Sequence, residues 1–287
     1  MVQLVDRDIK TREVLDWKGV HILHFMGSSC SQKLRIFLNL KGISWESHHI
    51  DLPANENFRP WFLGINPRGL VPVLVHNGAV RIESNDIITY LERTYPIPKL
   101  IPAGHENEVA ALLRHEDDLH FDLRTLSFRF VFAPPGPPKS AAALQSYAAN
   151  GSGTVQGFID RDKQVQIEYW ERAAREGFTD QEARVSARKF RTEFGALDQR
   201  LARQPYLMGE VLSVLDIAWL IYAHRLSLAG YPFKRLHPHV FAWKERLAAR
   251  PEFAKEIDLL RHSREQLDAI RREQEKTGET LEAIAGF

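Results

Sequence analysis

The stretch Phe25-Met26-Gly27-Ser28-Ser29-Cys30-Ser31-Gln32-Lys33-Leu34-Arg35, FMGSSCSQKLR, interrupts an apolar run with a glycine, three serines and the chain's only cysteine, then resumes with helical spacing. Before it, VHILHFM (Val20 to Met26) is short, β-branched and apolar, the pattern of a buried strand. After it, Leu34, Phe37, Leu38 and Lys41 recur at helical spacing, and Gly42 stands where a C-terminal cap belongs. The stretch is therefore a strand-to-helix turn. Such turns hold ligands in open α/β sheets because a helix N-terminus aims unpaired N–H groups at negative charge, so a hydroxyl or thiol placed there has its anion stabilised. The simpler task for Ser28 or Ser29 is to cap the helix by accepting a hydrogen bond from one of those N–H groups.

Working outward, SWESHHIDL after Gly42 reads as a second strand and completes a βαβ unit. A Pro- and Asn-rich segment follows, with room for one short helix around Trp61 and Phe62. LVPVLV, Asn77-Gly78 and AVRI form a hairpin, since Asn-Gly suits both positive-φ positions of a two-residue turn. Pro72 removes a ladder donor from its strand, which places it on an edge or in a cis turn. Ser84 then caps a helix that turns Ile87, Ile88 and Leu91 inward. The order β-α-β-α-β-β-α is complete by Tyr95 and defines a first domain over residues 18–97.

Proline-rich residues 97–102 read as a linker, and beyond them an all-helical domain is expected over 104–263, with no further strand. Its first helix runs from Glu106 to Val131 and is stopped by APPGPP; residues 140–157, rich in Ala, Gly and Ser, read as a loop or lid. One long amphipathic helix is expected from Arg161 to Leu201, with Gly177 as its breaking point. VLSVLDIAWLIYAHRLSLAG is the most apolar segment and the domain's central helix, opened by Ser213 and Asp216 at capping-box spacing. The polar residues 264–287 read as a solvated or frayed tail, with LEAIAGF at its end as a segment that could dock.

The 287 residues, 44% of them hydrophobic, suffice for two cores. Lys and Arg (38) balance Asp and Glu (37), so no charge surplus points to nucleic acid or an anionic membrane, and the expected partners are small molecules and a second copy of the chain. The N-terminus has no signal-peptide pattern and no apolar run approaches the ~18 residues of a membrane span, which assigns the chain to the cytoplasm. Cys30 alone cannot form an intramolecular disulfide, and CSQK is not a dithiol motif. His48-His49, His237-Pro238-His239 and the pair Glu116/His120 lack supporting ligands at metal-site spacing, so no metal is expected.

Together SSCSQKLRIFLNLKGI, NPRGLVPVL, ESNDIITYLE and YLMGEVLSVLDIAW resemble, in order and over nearly the whole chain, the cytosolic glutathione transferases. The first motif is similar to the zeta class and to the tetrachlorohydroquinone dehalogenases. Its pairing with DLPANENFRPWFLGINPRGLVPVL and a long insertion at 134–157 also resembles the ganglioside-induced differentiation-associated branch.

The resemblance implies an α/β thioredoxin-like N-terminal domain followed by an all-α domain, a homodimer, and glutathione as co-substrate. It implies that Val71, exposed by a cis Pro72, pairs with the glutathione backbone. Glu83 and Ser84 hold its γ-glutamyl end, and Arg68 or His49 meets its glycyl carboxylate. Leu70 stands where zeta members carry a polar side chain. Ser28 or Cys30 is the catalytic group, with Ser29 left as the cap. Arg114, Asp118, Phe121, Asp122 and Thr125 are the expected lining of an electrophile pocket between that turn and the first long helix. The implied activity is conjugation or isomerisation of a small electrophile by the glutathione thiolate. The alternatives are a Cys30-dependent reductive dehalogenase or thiol transferase, and a non-catalytic sensor.

Overall fold

A computed structural model describes residues 1–133 and 136–287. In order the elements are β1 (Val2–Gln3), β2 (Val20–His24), α1 (Ser29–Lys41), β3 (Glu46–His49), α2 (Pro60–Leu63), β4 (Val73–His76), β5 (Ala79–Ile82) and α3 (Ser84–Thr94). Next come α4 (Glu106–Asp118), α5 (His120–Ser127), α6 (Ala141–Ala149), β6 (Thr154–Val155), β7 (Phe158–Ile159), α7 (Asp162–Glu176) and α8 (Asp180–Leu201). The chain ends with α9 (Val214–Leu228), α10 (Phe233–Leu236), α11 (Pro238–Ala248), α12 (Pro251–Ile257), α13 (Arg261–Thr277) and α14 (Leu281–Ala285).

Two compact units result, one of Met1–Pro98 with Gly136–Gly177, the other of residues 99–133 with Phe178–Phe287. The first holds a five-stranded sheet in the order β1-β5-β4-β2-β3. Only β2 and β3 are parallel, joined through α1, and β4, β5 and β1 add antiparallel. This is the thioredoxin-like arrangement expected, with the short helix at Trp61-Phe62 and the hairpin at Asn77-Gly78 in place. Both turn residues have positive φ, and a Cβ on Gly78 would sit 2.1 Å from the Leu15 carbonyl oxygen, so only glycine closes this turn. Strand β1 was not anticipated, because two residues are too few for any periodicity to show.

Alternation along the strands sends Leu23, Val73, Val75, Val80 and Ile82 into one core. Ile22 and Leu74 face the other way and are fully buried, as are Leu34, Phe37 and Leu38 of α1 and Ile87, Ile88 and Leu91 of α3, which packs beside α1. Each such side chain contributes about 1.5–3 kcal/mol relative to exposure. A buried ion pair between Lys41 and Glu92 also ties α1 to α3.

The segment 136–177 departs from expectation. Residues 141–149 form a helix, capped by Ser140 accepting from the Ala143 N–H, and β6 and β7 form a hairpin. The alanines that suggested a loop are strong helix formers once capped. The segment joins the first unit because its polar groups are satisfied there. Lys139 donates to the Leu52 carbonyl and Asn55 Oδ1, Ser146 to the Phe58 carbonyl, and Thr154 and the Gly157 N–H to the buried Asp8 carboxylate. Tyr147 stacks on Phe58 with centroids 4.1 Å apart. The N-terminal edge of the expected insertion, at 134, lies outside the described residues.

In the second unit, the expected 106–131 helix divides at Leu119 (φ −89°, ψ 2°) into α4 and α5, which ends in a π-helical turn over Phe128–Phe132. Gly177 breaks the 161–201 helix as expected, separating α7 from α8. The tail is helical: α13 stays mostly exposed, whereas the LEAIAGF end docks as α14, burying Leu281, Ile284 and Ala285, with the Ile284 carbonyl accepting from Arg184 and Phe287 against Tyr231. Helix α9 is apolar all round and buried.

Its N-terminus rests on Asp216, whose carboxylate accepts from the N–H groups of Leu207 and Ser213, the Ser213 hydroxyl and Trp243 Nε1 at 2.9–3.0 Å. Burial pushes the Asp216 pKa up against the pull of these four donors. Asp216→Ala strands several buried donors, and a loss of at least ~3 kcal/mol is expected in urea unfolding. An unchanged midpoint would show that the cap is dispensable.

Candidate functional site

The turn after β2 is shaped from below by Arg35 of α1. This side chain is 2% exposed, and its guanidinium donates to the carbonyls of Phe25 (3.2 Å) and Met26 (3.0 Å) and to His24 Nδ1 (3.1 Å). A guanidinium only donates, so His24 Nδ1 accepts and Nε2 carries the proton, which it donates to Ser47 Oγ on β3 at 2.8 Å. Burial and the Arg35 charge lower the His24 pKa to about 4.

The helix cap is Ser28, not Ser29 as expected: Ser28 Oγ accepts from the Ser31 N–H at 3.3 Å, and Ser29 is the first helical residue. A hydroxyl that accepts in this way keeps its own proton for donation to a ligand. Cys30 follows in the first turn, half-buried.

Beside this turn, the Val71–Pro72 bond is cis as expected. The β2–β4 register ends at Leu23↔Val73, leaving Val71 outside the ladder. Phe25, which that register would set opposite Val71, turns its N–H to Ser31 Oγ and its carbonyl to Ser28 and Arg35. Leu70 is half-buried, its carbonyl accepting from Asn66.

Glu83 precedes α3 with φ 67° and ψ 113°, a conformation that costs a non-glycine residue about 1–3 kcal/mol and is retained mostly at functional positions. Its carboxylate accepts from Arg68 Nη1 at 2.7 Å, and Ser84 is buried at the start of the helix. Arg68 also binds Asp160 through Nε and Nη2 (3.0 and 2.8 Å) and Asp162 (2.7 Å). Burial works against the guanidinium, but the bonds to Asp160 and Glu83 outweigh it and its pKa moves up. Three carboxylates thus surround the residue expected to meet a glycyl carboxylate, which makes Arg68 an unsuitable anion receptor. His49, the other candidate, is exposed beside Phe25.

The five expected pocket residues lie on α4 and α5 in different settings. Arg114 and Asp118 are exposed, Phe121 is half-buried under the Arg124 guanidinium, and Thr125 is buried. Asp122 is committed to α8, accepting from Ser186 (2.7 Å) and Lys189 (2.9 Å). The break at Leu119 rotates α5 relative to α4, so spacing counted across it does not define one face.

Sequence reasoning missed a third feature. His21, Glu46 and His48 bring one ligand atom each within 4.8 Å of one another, although His48 was discounted for lack of a partner carboxylate. The signal was the parallel register, which pairs His21 with Glu46.

The chain is similar to known proteins in sequence and in fold. Residues 27–94 match the family model of the glutathione S-transferase N-terminal domain, and residues 167–251 that of the C-terminal domain. The chain belongs to the glutathione S-transferase family. Within the family it is 46% identical to a zeta-class glutathione S-transferase of Euphorbia esula over 79 residues, 28% of this chain and 35% of that one. It is 28% identical to Protein LigF of Sphingobium sp. (strain NBRC 103272 / SYK-6) over 79% of this chain and 91% of that one. The crystal structure of beta-etherase LigF from Sphingobium sp. strain SYK-6 superposes with a TM-score of 0.69 at 26% identity, covering 83% of this chain and 98% of that one. The chain spans 35–39% of the length of the first curated relatives it matches. Among the described residues no helix is long and apolar enough to cross a membrane.

The His24 geometry sets a pH dependence for this family member. The folded pKa of about 4 lies below the ordinary 6.5, so the unfolded chain binds the proton more readily. The His24 contribution to stability is therefore present above pH 6.5 and declines as pH falls towards 4. The His24 ring resonance is expected to stay unprotonated in NMR titration down to pH 5, and His24→Gln to shallow the acid-side fall of the urea midpoint. A ring titrating near 6.5 would contradict the assigned bonds.

Proposed function

We propose that this chain binds glutathione at the Ser28, Val71 and Glu83-Ser84 corner and uses its thiolate to attack a small electrophile. The observation that carries the reading is the Ser28 hydroxyl, which accepts from the helix and retains a proton to donate to a sulfur at the positive end of α1. A donor and a helix N-terminus both favour thiolate over thiol, and the thiolate is the nucleophile.

Val71, outside the ladder, would offer its backbone to the cysteinyl residue as an added strand does. The Glu83 carboxylate, beside Arg68 and its partners Asp160 and Asp162, suits the γ-glutamyl ammonium, while the N-terminus of α3 at Ser84 suits the adjoining carboxylate. Arg114, Asp118 and Phe121 remain the candidates for the electrophile; Asp122 and Thr125 are withdrawn, being held or buried among the helices.

For the electrophile we favour an ether. Protein LigF, matched over 91% of its length, has a structure described as a beta-etherase, whereas the zeta relative matches over 79 residues. The step balances as a substitution: the thiolate forms the carbon–sulfur bond, the carbon–oxygen bond breaks, and the leaving alkoxide or phenoxide takes a proton. No second thiol is required, which favours Ser28 over Cys30.

Two variants test the assignment with aryl ether substrates. Ser28→Ala should lower turnover by about 10²–10³, the effect of losing one preorganised donor, and Cys30→Ser should leave it nearly intact. The reverse pattern, with a glutathione mixed disulfide trapped on the wild type, would make Cys30 the working group. Glu83→Ala should weaken glutathione binding by ~2–3 kcal/mol with little change in unfolding. Unaltered affinity in calorimetry would refute that contact.

A further inference from the structure

At the end of β2 opposite the turn, His21 Nδ1 lies 3.1 Å from His48 Nε2 and 3.3 Å from Glu46 Oε2. The parallel register sets Glu46 beside His21, and His48, two residues on, projects to the same face. We propose that His21, Glu46 and His48 bind a divalent transition metal of the zinc class at this edge of the sheet.

The tautomer of His21 is fixed by Lys18, whose carbonyl is 2.7 Å from Nε2 and can only accept. Nε2 therefore carries the proton, and the Nδ1 lone pair is turned towards the other two ligand atoms. A backbone carbonyl that orients the far nitrogen in this way is the usual support of a metal-bound histidine. Tetrahedral ligands at 2.0–2.1 Å from zinc stand about 3.3–3.4 Å apart, close to both separations from His21 Nδ1. A proton on Nδ1 would serve one or two of the three atoms; a divalent cation serves all of them.

The surroundings fit the same use. Trp17 stacks on His48 at 4.3 Å and 13°, and lies 4.8 Å from His21, holding both rings. His21 is buried, whereas the Glu46 side chain is 72% exposed, which leaves an entry path and a position for water. Two imidazoles and one carboxylate suit zinc and its neighbours rather than Mg²⁺ or Ca²⁺, which take oxygen ligands. The ion would clip the edge strand β3 to β2 and the segment carrying Trp17.

The test is titration of the tag-free full chain with ZnCl₂ by calorimetry, and with NiCl₂ while following tryptophan fluorescence. One equivalent of zinc is expected, with a rise in Tm, and with quenching by nickel that Trp17→Phe diminishes. His48→Gln should weaken zinc binding by ~100-fold or more and Glu46→Gln by ~10-fold; Glu46 is exposed and His48 partly buried, and circular dichroism verifies the folding of both variants. Glutathione-dependent activity should be unchanged in both. Absence of zinc binding, or equal binding by the folded double variant, would overturn the site.

Discussion

The candidate site depends on one buried guanidinium. Arg35 projects from α1 back beneath the turn and donates to the Phe25 and Met26 carbonyls where β2 leaves the sheet. With those carbonyls held, the chain can turn sharply enough for Ser28 to cap α1 one residue before the helix begins. The same guanidinium forces the His24 tautomer, and His24 in turn holds Ser47 on β3. Strand, turn, helix and edge strand are thus fixed by one chain of hydrogen bonds centred on a buried side chain. Such a network is strong when complete and costly when any member is missing.

A second set of constraints comes from the segment 136–177. Asp8 and the backbone carbonyls of Leu52 and Phe58 need partners, and segment 136–177 supplies them as threonine, glycine, lysine and serine donors. Arg68 is the counterpart in the other direction. It stands two residues from Leu70 in the conspicuous NPRGLVPVL motif, yet its three carboxylate partners include two from that later segment. The result is a cluster of carboxylates around Arg68 beside the strained Glu83, reached only because residues 92 positions apart in the chain meet.

The two ends of β2 serve different chemistry. One end gives way to small polar residues and a helix N-terminus, a setting for an anionic sulfur. At the other, imidazole, imidazole and carboxylate converge under Trp17, a setting for a cation. Adjacent residues on a strand face opposite ways, so His21 and His24, three apart, also lie on opposite faces of the sheet. Both rings are kept from acting as ordinary surface histidines, one by Lys18 and the other by Arg35.

Sequence alone determined the βαβ-ββα order, the Asn-Gly hairpin, the cap at Gly42, the break at Gly177 and the apolar central helix. Each is written in local terms, as periodicity, a turn pair or a cap residue. The family's motifs sit in those same local elements, so the turn at Ser28-Ser29-Cys30, Val71-Pro72 and Glu83-Ser84 was legible as one constellation. Tertiary structure decided what depends on partners distant in sequence. Ser28 rather than Ser29 became the cap because Arg35 sets the angle of entry. The Ala-rich segment 141–149 became a helix docked on the first unit, and the polar tail became α13 and α14, because each has donors or apolar residues that a particular distant surface satisfies. Arg68 gained Asp160 and Asp162 as partners, and His48 gained Glu46 and His21 through strand register. Neither spacing nor composition encodes such pairings, since a hydrogen bond depends on separation in space, and folding sets that separation.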